Sequence, residues 1–103
     1  MNRFSEKDWK IFTRKIPEWQ ENYMKKLNQE YIELLSGEGE ASEKFWTLEK
    51  RIREDKKSCG VQCEMKRSNL FFIIMSLLNE RAITLDDLDE FSDDLKETIK
   101  HFV

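Results

Sequence analysis

The residues best suited to chemistry are Cys59 and Cys63, which sit four apart in the run Cys59-Gly60-Val61-Gln62-Cys63. Two thiols at that spacing are half of a tetrahedral metal site, which needs three or four converging ligands. The one histidine, His101, stands far along the chain, and no other Cys or His exists to join them. Carboxylates could complete a set, but no spacing singles one out. No metal site is therefore expected. Cys63 reads as a small, partly buried hydrophobe and Cys59 as a turn residue. Nucleophilic catalysis also lacks its parts, since an activated nucleophile needs a base beside it. His101 is better placed to interact with the end of a helix than to act as that base.

Asp86, Asp87, Asp93 and Asp94 could attract a cation, but they lack the Asp-x-Asp-x-Asp-Gly loop of the helix–loop–helix calcium pattern. Capping of helix starts explains them better. The sequence has no Gly-rich phosphate loop. No catalytic, cofactor-binding or metal-ligating residue is assigned, and the chain does not read as an enzyme.

Contact chemistry is what remains. Lys50, Arg51, Arg53, Lys56, Lys57, Lys66 and Arg67 stand against Glu54, Asp55 and Glu64, which makes residues 50–67 net +4. Such a stretch could meet nucleic-acid phosphates or an acidic protein. It carries no DNA-binding signature, and its interspersed acids fit a solvated helix face better. Trp46 lies about 100° off the apolar stripe of its own helix, which makes it either a contact residue, since tryptophan is over-represented at contact hot spots, or part of a second apolar face packed internally. Trp46 and the seven basic residues form the candidate interaction surface.

The elements that position these residues are helical. With 103 residues, 38% charged, three Gly and one Pro, the chain has the length of one domain, residues 1–103. Three Trp, seven Phe and two Tyr supply a core. The net charge is −3, and the acidic excess gathers in residues 81–103, which carry seven acids and three bases. That end disfavours wholesale binding to nucleic acid or an anionic membrane. The apolar run from Leu70 to Leu78 is far short of the ~20 residues that span a bilayer. No signal peptide is read at the N-terminus. The expectation is a cytoplasmic protein with reduced thiols and no membrane contact.

Ser5 reads as the cap of a first helix, with Phe4 and Trp9 as its hydrophobic staple and Trp9, Phe12 and Ile16 as its stripe. Pro17 is expected to end that helix and open a second, running to about Ser36, with Trp19, Tyr23, Leu27, Tyr31, Leu34 and Leu35 along one face. Residues 36–40 are loop by composition. Ser42 reads as the cap of a third helix to about Lys57, striped by Phe45, Leu48 and Ile52. Gly60 reads as its stop, reached in the left-handed conformation. A fourth helix is expected over Gln62–Glu80, apolar on all sides between Leu70 and Leu78 and so in need of surrounding. Thr84 and Ser92 each offer a further start, giving one or two short C-terminal helices.

From Phe45 onward the chain also resembles a family of small, uncharacterised all-helical proteins of gut Firmicutes. Phe45-Trp46-Thr47-Leu48-Glu49-Lys50-Arg51-Ile52, Gly60-Val61, Arg67-Ser68-Asn69 and Ile83 through Lys96 carry the resemblance. Trp19-Gln20-x-x-Tyr23 and Leu27-Asn28-x-Glu30-Tyr31 extend it. Some members bear the label multidrug transporter, which does not fit a chain without membrane spans. The resemblance implies a helical fold and brings no active-site residues.

The expected fold is an all-α, single-domain bundle of four main helices plus one or two short C-terminal helices, with the fourth at its centre. The expected function is protein interaction or regulation through apolar helix surfaces, as a homodimer and with room for an unidentified protein partner. The alternative is a nucleic-acid-associated regulator that uses residues 50–67. Self-association is expected because the fourth helix is apolar all round and Trp46, Ile11 and Ile32 have no evident place in one chain.

Overall fold

The computed structural model describes residues 5–103. Phe4, the staple partner assigned to Trp9, lies outside them. The fold is all-α, with α1 over Glu6–Ser36, α2 over Ala41–Asp55, α3 over Leu70–Asn79 and α4 over Asp93–Phe102. Two 3₁₀ turns, Arg67–Asn69 and Leu85–Leu88, precede α3 and α4. No strand occurs among the described residues.

Residues 6–36 form one helix rather than two. Ser5 caps it as expected, its hydroxyl accepting from the Asp8 N–H at 3.1 Å. Pro17 lies inside the helix. An interior proline costs about 3 kcal/mol in an isolated helix, and two features offset that here. Pro17 and Thr13 are both exposed, so the Thr13 carbonyl left without a partner faces water. Phe12, Ile16 and Trp19 bury one continuous face on either side of the proline.

At 31 residues, α1 is about 46 Å long, against a longest molecular dimension of 51 Å. Its first half is built into a compact head, and its second half runs outward with α2 alongside as a two-helix arm. The head core is Phe12, Ile16 and Trp19 from α1, Leu70, Ile73, Ile74 and Leu77 from α3, Leu95 and Ile99 from α4, and Ile83, Leu88 and Phe91 between them. Trp19 stacks on Phe91 at 6.3 Å between ring centres and meets Phe12 edge-on at the same distance. Ile11, expected to lack a place in one chain, is buried here.

The apolar run of α3 is covered by this one chain except at Phe72, which is 66% exposed. It is a shorter helix than expected, starting at Leu70 rather than Gln62. Residues 56–66 are irregular, and hydrogen bonds from other elements tie this segment at Cys59 and Gly60. The Glu80 carboxylate accepts from the Cys59 and Gly60 N–H groups at 3.0 Å each, while Gln20 donates to the Cys59 carbonyl at 2.9 Å. These bonds take up backbone groups that a continuous helix would pair internally.

Gly60 has an ordinary negative φ, so the left-handed stop read at this position is corrected. Its role is close approach: a Cβ there would lie 2.3 Å from the Tyr23 ring. The left-handed residue is Arg81, with φ 63°. It closes α3 in a Schellman motif, Ala82 N–H to the Leu77 carbonyl at 2.8 Å and Arg81 N–H to the Leu78 carbonyl at 3.1 Å. Thr84 starts only a 3₁₀ turn, its N–H donating to Asp87 at 2.7 Å. Ser92 is the true cap of α4.

Candidate interaction surface

Helix α2 carries most of the surface assigned from sequence, and it has no buried residue. It starts at Ala41 from a Glu40 cap, two residues before the Ser42 cap expected, and it ends at Asp55. Its stripe of Phe45, Leu48 and Ile52 meets α1 only in part. Leu48 is half-buried, whereas Phe45 is 61% and Ile52 39% exposed. Trp46 is 64% exposed, and its ring meets Phe45 edge-on at 5.0 Å. Phe45 was expected in the core; it lies outside because α1 is the helix that α2 packs against among the described residues.

A polar clamp holds α2 on α1. The Tyr31 hydroxyl donates to Asp55 at 2.5 Å. Arg51 lies over the Tyr31 ring at 5.5 Å, donates through Nε to Asp55 at 3.0 Å and pairs with Glu30. Burial, and then the bond to Asp55, push the Tyr31 phenol up to about 12. Arg51 is therefore part of the arm's own structure and is less open to a ligand.

Most of the other basic residues are also paired. Arg53 meets Glu49 at 2.5 Å, Lys57 meets Glu54 at 3.6 Å, Lys66 meets Glu64 at 3.5 Å and Arg67 meets Glu6 at 2.7 Å. Lys50 and Lys56 have no carboxylate partner among the described residues. The seven do not form one helical face, because the chain leaves α2 after Asp55 and continues as loop to Lys66.

Cys59 and Cys63 are free thiols in that loop, both half-buried. Burial pushes both thiols up from their ordinary value, so neither is activated as a nucleophile. Cys63 lies 3.8 Å from the Gln20 amide and 3.7 Å from the Met65 sulfur. No group of three or more His, Cys, Asp or Glu side chains among the described residues is arranged to hold a metal ion. His101 is exposed beside Phe102. No described helix is long and apolar enough to cross a membrane.

Sequence reasoning missed the apolar flank of the arm. Ile32 is 54% and Leu35 46% exposed, and both lie on the α1 side of the arm. With about 100° of rotation per residue, Ile32 and Leu35 fall on the same side of the α1–α2 plane as Phe45 and Ile52. A groove of about 260 Å³ opens at the base of that side, lined by Met24, Leu27, Asn28, Ile52 and Val61 among others. Trp46 belongs to the opposite flank, in a groove with Leu34 and Thr47. Ile32 was marked as lacking a place in one chain, whereas Leu35, Phe45 and Ile52 stood on stripes read as apolar helix faces and are exposed. No family model, curated protein or solved structure matches the chain.

Proposed function

We propose that this protein is a small, non-enzymatic interaction module that works through the apolar surface of its helical arm, as a homodimer. The observation that carries this reading is the arm itself. Two helices project from a well-packed head and hold Phe45, Ile32 and Leu35 in water on one flank and Trp46 on the other, each 46–64% exposed. Contiguous apolar surface of this kind is a mark of contact sites. Tryptophan and phenylalanine in a rigid helix bury large areas at small entropic cost. Two free thiols support a reducing compartment, and the cytoplasm is the proposed location.

The nucleic-acid alternative has less support, because five of the seven basic residues already sit on carboxylates. The test is affinity capture from the host cell with the full chain as bait, beside a Phe45→Ser/Trp46→Ser variant. Proteins held at high salt by the wild type and lost with the variant support the reading. Equal retention by both baits, or retention only of nucleic acid that washes off with salt, overturns it.

A further inference from the structure

We infer that the flank of the arm bearing Ile32, Leu35, Phe45 and Ile52 is the self-contact, and that two arms pack antiparallel about a two-fold axis into a four-helix bundle. This inference rests on the arm being a contact surface and names the occupant of one of its two flanks. Area and charge support it independently.

The four side chains are 54%, 46%, 61% and 39% exposed. With 150–250 Å² for a large apolar side chain, they leave roughly 400 Å² of apolar surface open on each copy. The polar rim and the groove beside Ile52 add to that and bring the total toward the ~600–800 Å² per partner typical of stable dimers. A two-helix hairpin with one bare apolar flank is also half of a four-helix bundle, and a copy of the same hairpin supplies the other half.

The charges set the direction. The arm tip, residues 37–43, carries Glu38, Glu40 and Glu43 and no basic residue, so it is acidic as a whole although Glu38 and Glu43 line the groove beside Trp46 on the other flank. At the base, Lys25 and Lys56 border the same flank by helical phase, and neither has a carboxylate partner among the described residues. A two-fold contact must be complementary to itself. An acidic tip and a basic base satisfy that condition only when the arms run antiparallel. Phe45, toward the tip of one arm, then lies near Ile52, toward the base of the other.

Light scattering on a sizing column tests this with the full chain across a tenfold dilution from micromolar concentration. The wild type is expected to run as a dimer that dissociates on dilution. Ile32→Glu is expected to weaken association by about tenfold or more, because a charge then stands in a desolvated contact. Trp46→Ser, on the opposite flank, is expected to leave it unchanged. Lys25→Glu/Lys56→Glu should weaken the dimer, and adding Glu38→Lys/Glu40→Lys should restore it, an exchange that damage to the fold would not reverse. Far-UV circular dichroism checks that each variant is folded. A wild type that stays monomeric overturns the inference, and with it the homodimer of the proposed function, and leaves capture of another protein through the arm to be judged on its own result. A dimer indifferent to both Ile32→Glu and the charge exchange also overturns it.

Discussion

The head and the arm are built with the same pattern. Trp9, Phe12 and Ile16 in α1 stand at i, i+3 and i+7, and so do Phe45, Leu48 and Ile52 in α2. In the head that stripe ends with Phe12 fully covered and Ile16 5% exposed. In the arm it ends with Phe45 61% and Ile52 39% exposed. The spacing is the same and the surroundings differ. Helix α1 shares the head core with residues of α3 and α4, whereas α2 packs chiefly on α1 among the described residues. Periodicity identifies the apolar face of a helix. Whether that face becomes core or contact surface depends on how many elements reach it.

The largest expected effects separate the two regions by stability. Phe12→Ala should cost about 3–5 kcal/mol, the usual loss for an aromatic removed from a closed core. Phe45→Ala at the matching stripe position should change the stability of the single chain by no more than about 0.5 kcal/mol. Urea denaturation followed by circular dichroism at submicromolar concentration checks both. A loss at Phe45 comparable to that at Phe12 would join the arm to the head's core and break the comparison.

A second expected effect lies in the head alone. Asp8 is fully buried, and its two oxygens accept from the Ser92 N–H at 2.8 Å and the Ser92 hydroxyl at 2.6 Å. The same hydroxyl oxygen accepts from the Leu95 N–H at 3.2 Å and caps α4. The first turn of α1 thus fixes the first turn of α4, with a negative charge at the positive end of the α4 dipole. Asp8→Ala leaves a half-buried N–H and hydroxyl of Ser92 without their acceptor. It should cost about 2–3 kcal/mol in the same denaturation assay. The arm's clamp is partly solvated, so Asp55→Ala is expected to cost less than Asp8→Ala.

These residues also mark how far the sequence could be read. The caps Ser5 and Ser92 were legible because their chemistry is complete within four residues. Asp8 was not, since its partner lies 84 positions away. Pro17 was read as a break because local propensity says so, and the deciding fact, that its side of α1 faces water, is tertiary. Gly60 was rightly singled out, but for backbone freedom rather than the room it leaves for Tyr23. The helix expected from Gln62 begins instead at Leu70, and the loop before it is tied at Cys59 and Gly60 by Glu80 and Gln20, partners that no local window contains. On the candidate surface, Trp46 was legible as an off-stripe tryptophan. Phe45 was not, because on-stripe position implies burial only where something is present to do the burying.

A smaller effect, of opposite sign, sits at the edge of the head. Arg81 holds φ 63°, a conformation that costs a residue with a Cβ roughly 1 kcal/mol. Arg81→Gly removes that cost and gives back part of it through a more flexible unfolded chain. The net expectation is a gain of about 0.5 kcal/mol, read as a higher urea midpoint with an unchanged slope. A loss of stability would mean that the Arg81 side chain contributes more than its backbone strain costs.

The smallest effect at neutral pH belongs to the arm, and it appears only in strong alkali. The Tyr31 phenol is pushed up to about 12 by burial and by its bond to Asp55. A raised value means that the protonated phenol is favoured more in the folded arm than in the unfolded chain. Its contribution is therefore present in full below the ordinary value near 10 and is lost as pH rises from there through about 12. Absorbance of the phenolate band should show a late ionisation that is missing from the titration of Tyr31→Phe. The methyl signals of Ile52 should shift over that interval in the wild type while those of Ile74, deep in the head, stay put. Lysines deprotonate in the same range, and Tyr31→Phe separates the two events because only the phenol's share disappears. If Ile52 and Ile74 shifted together, alkali would be opening the whole molecule, and the arm would not be a separately held element.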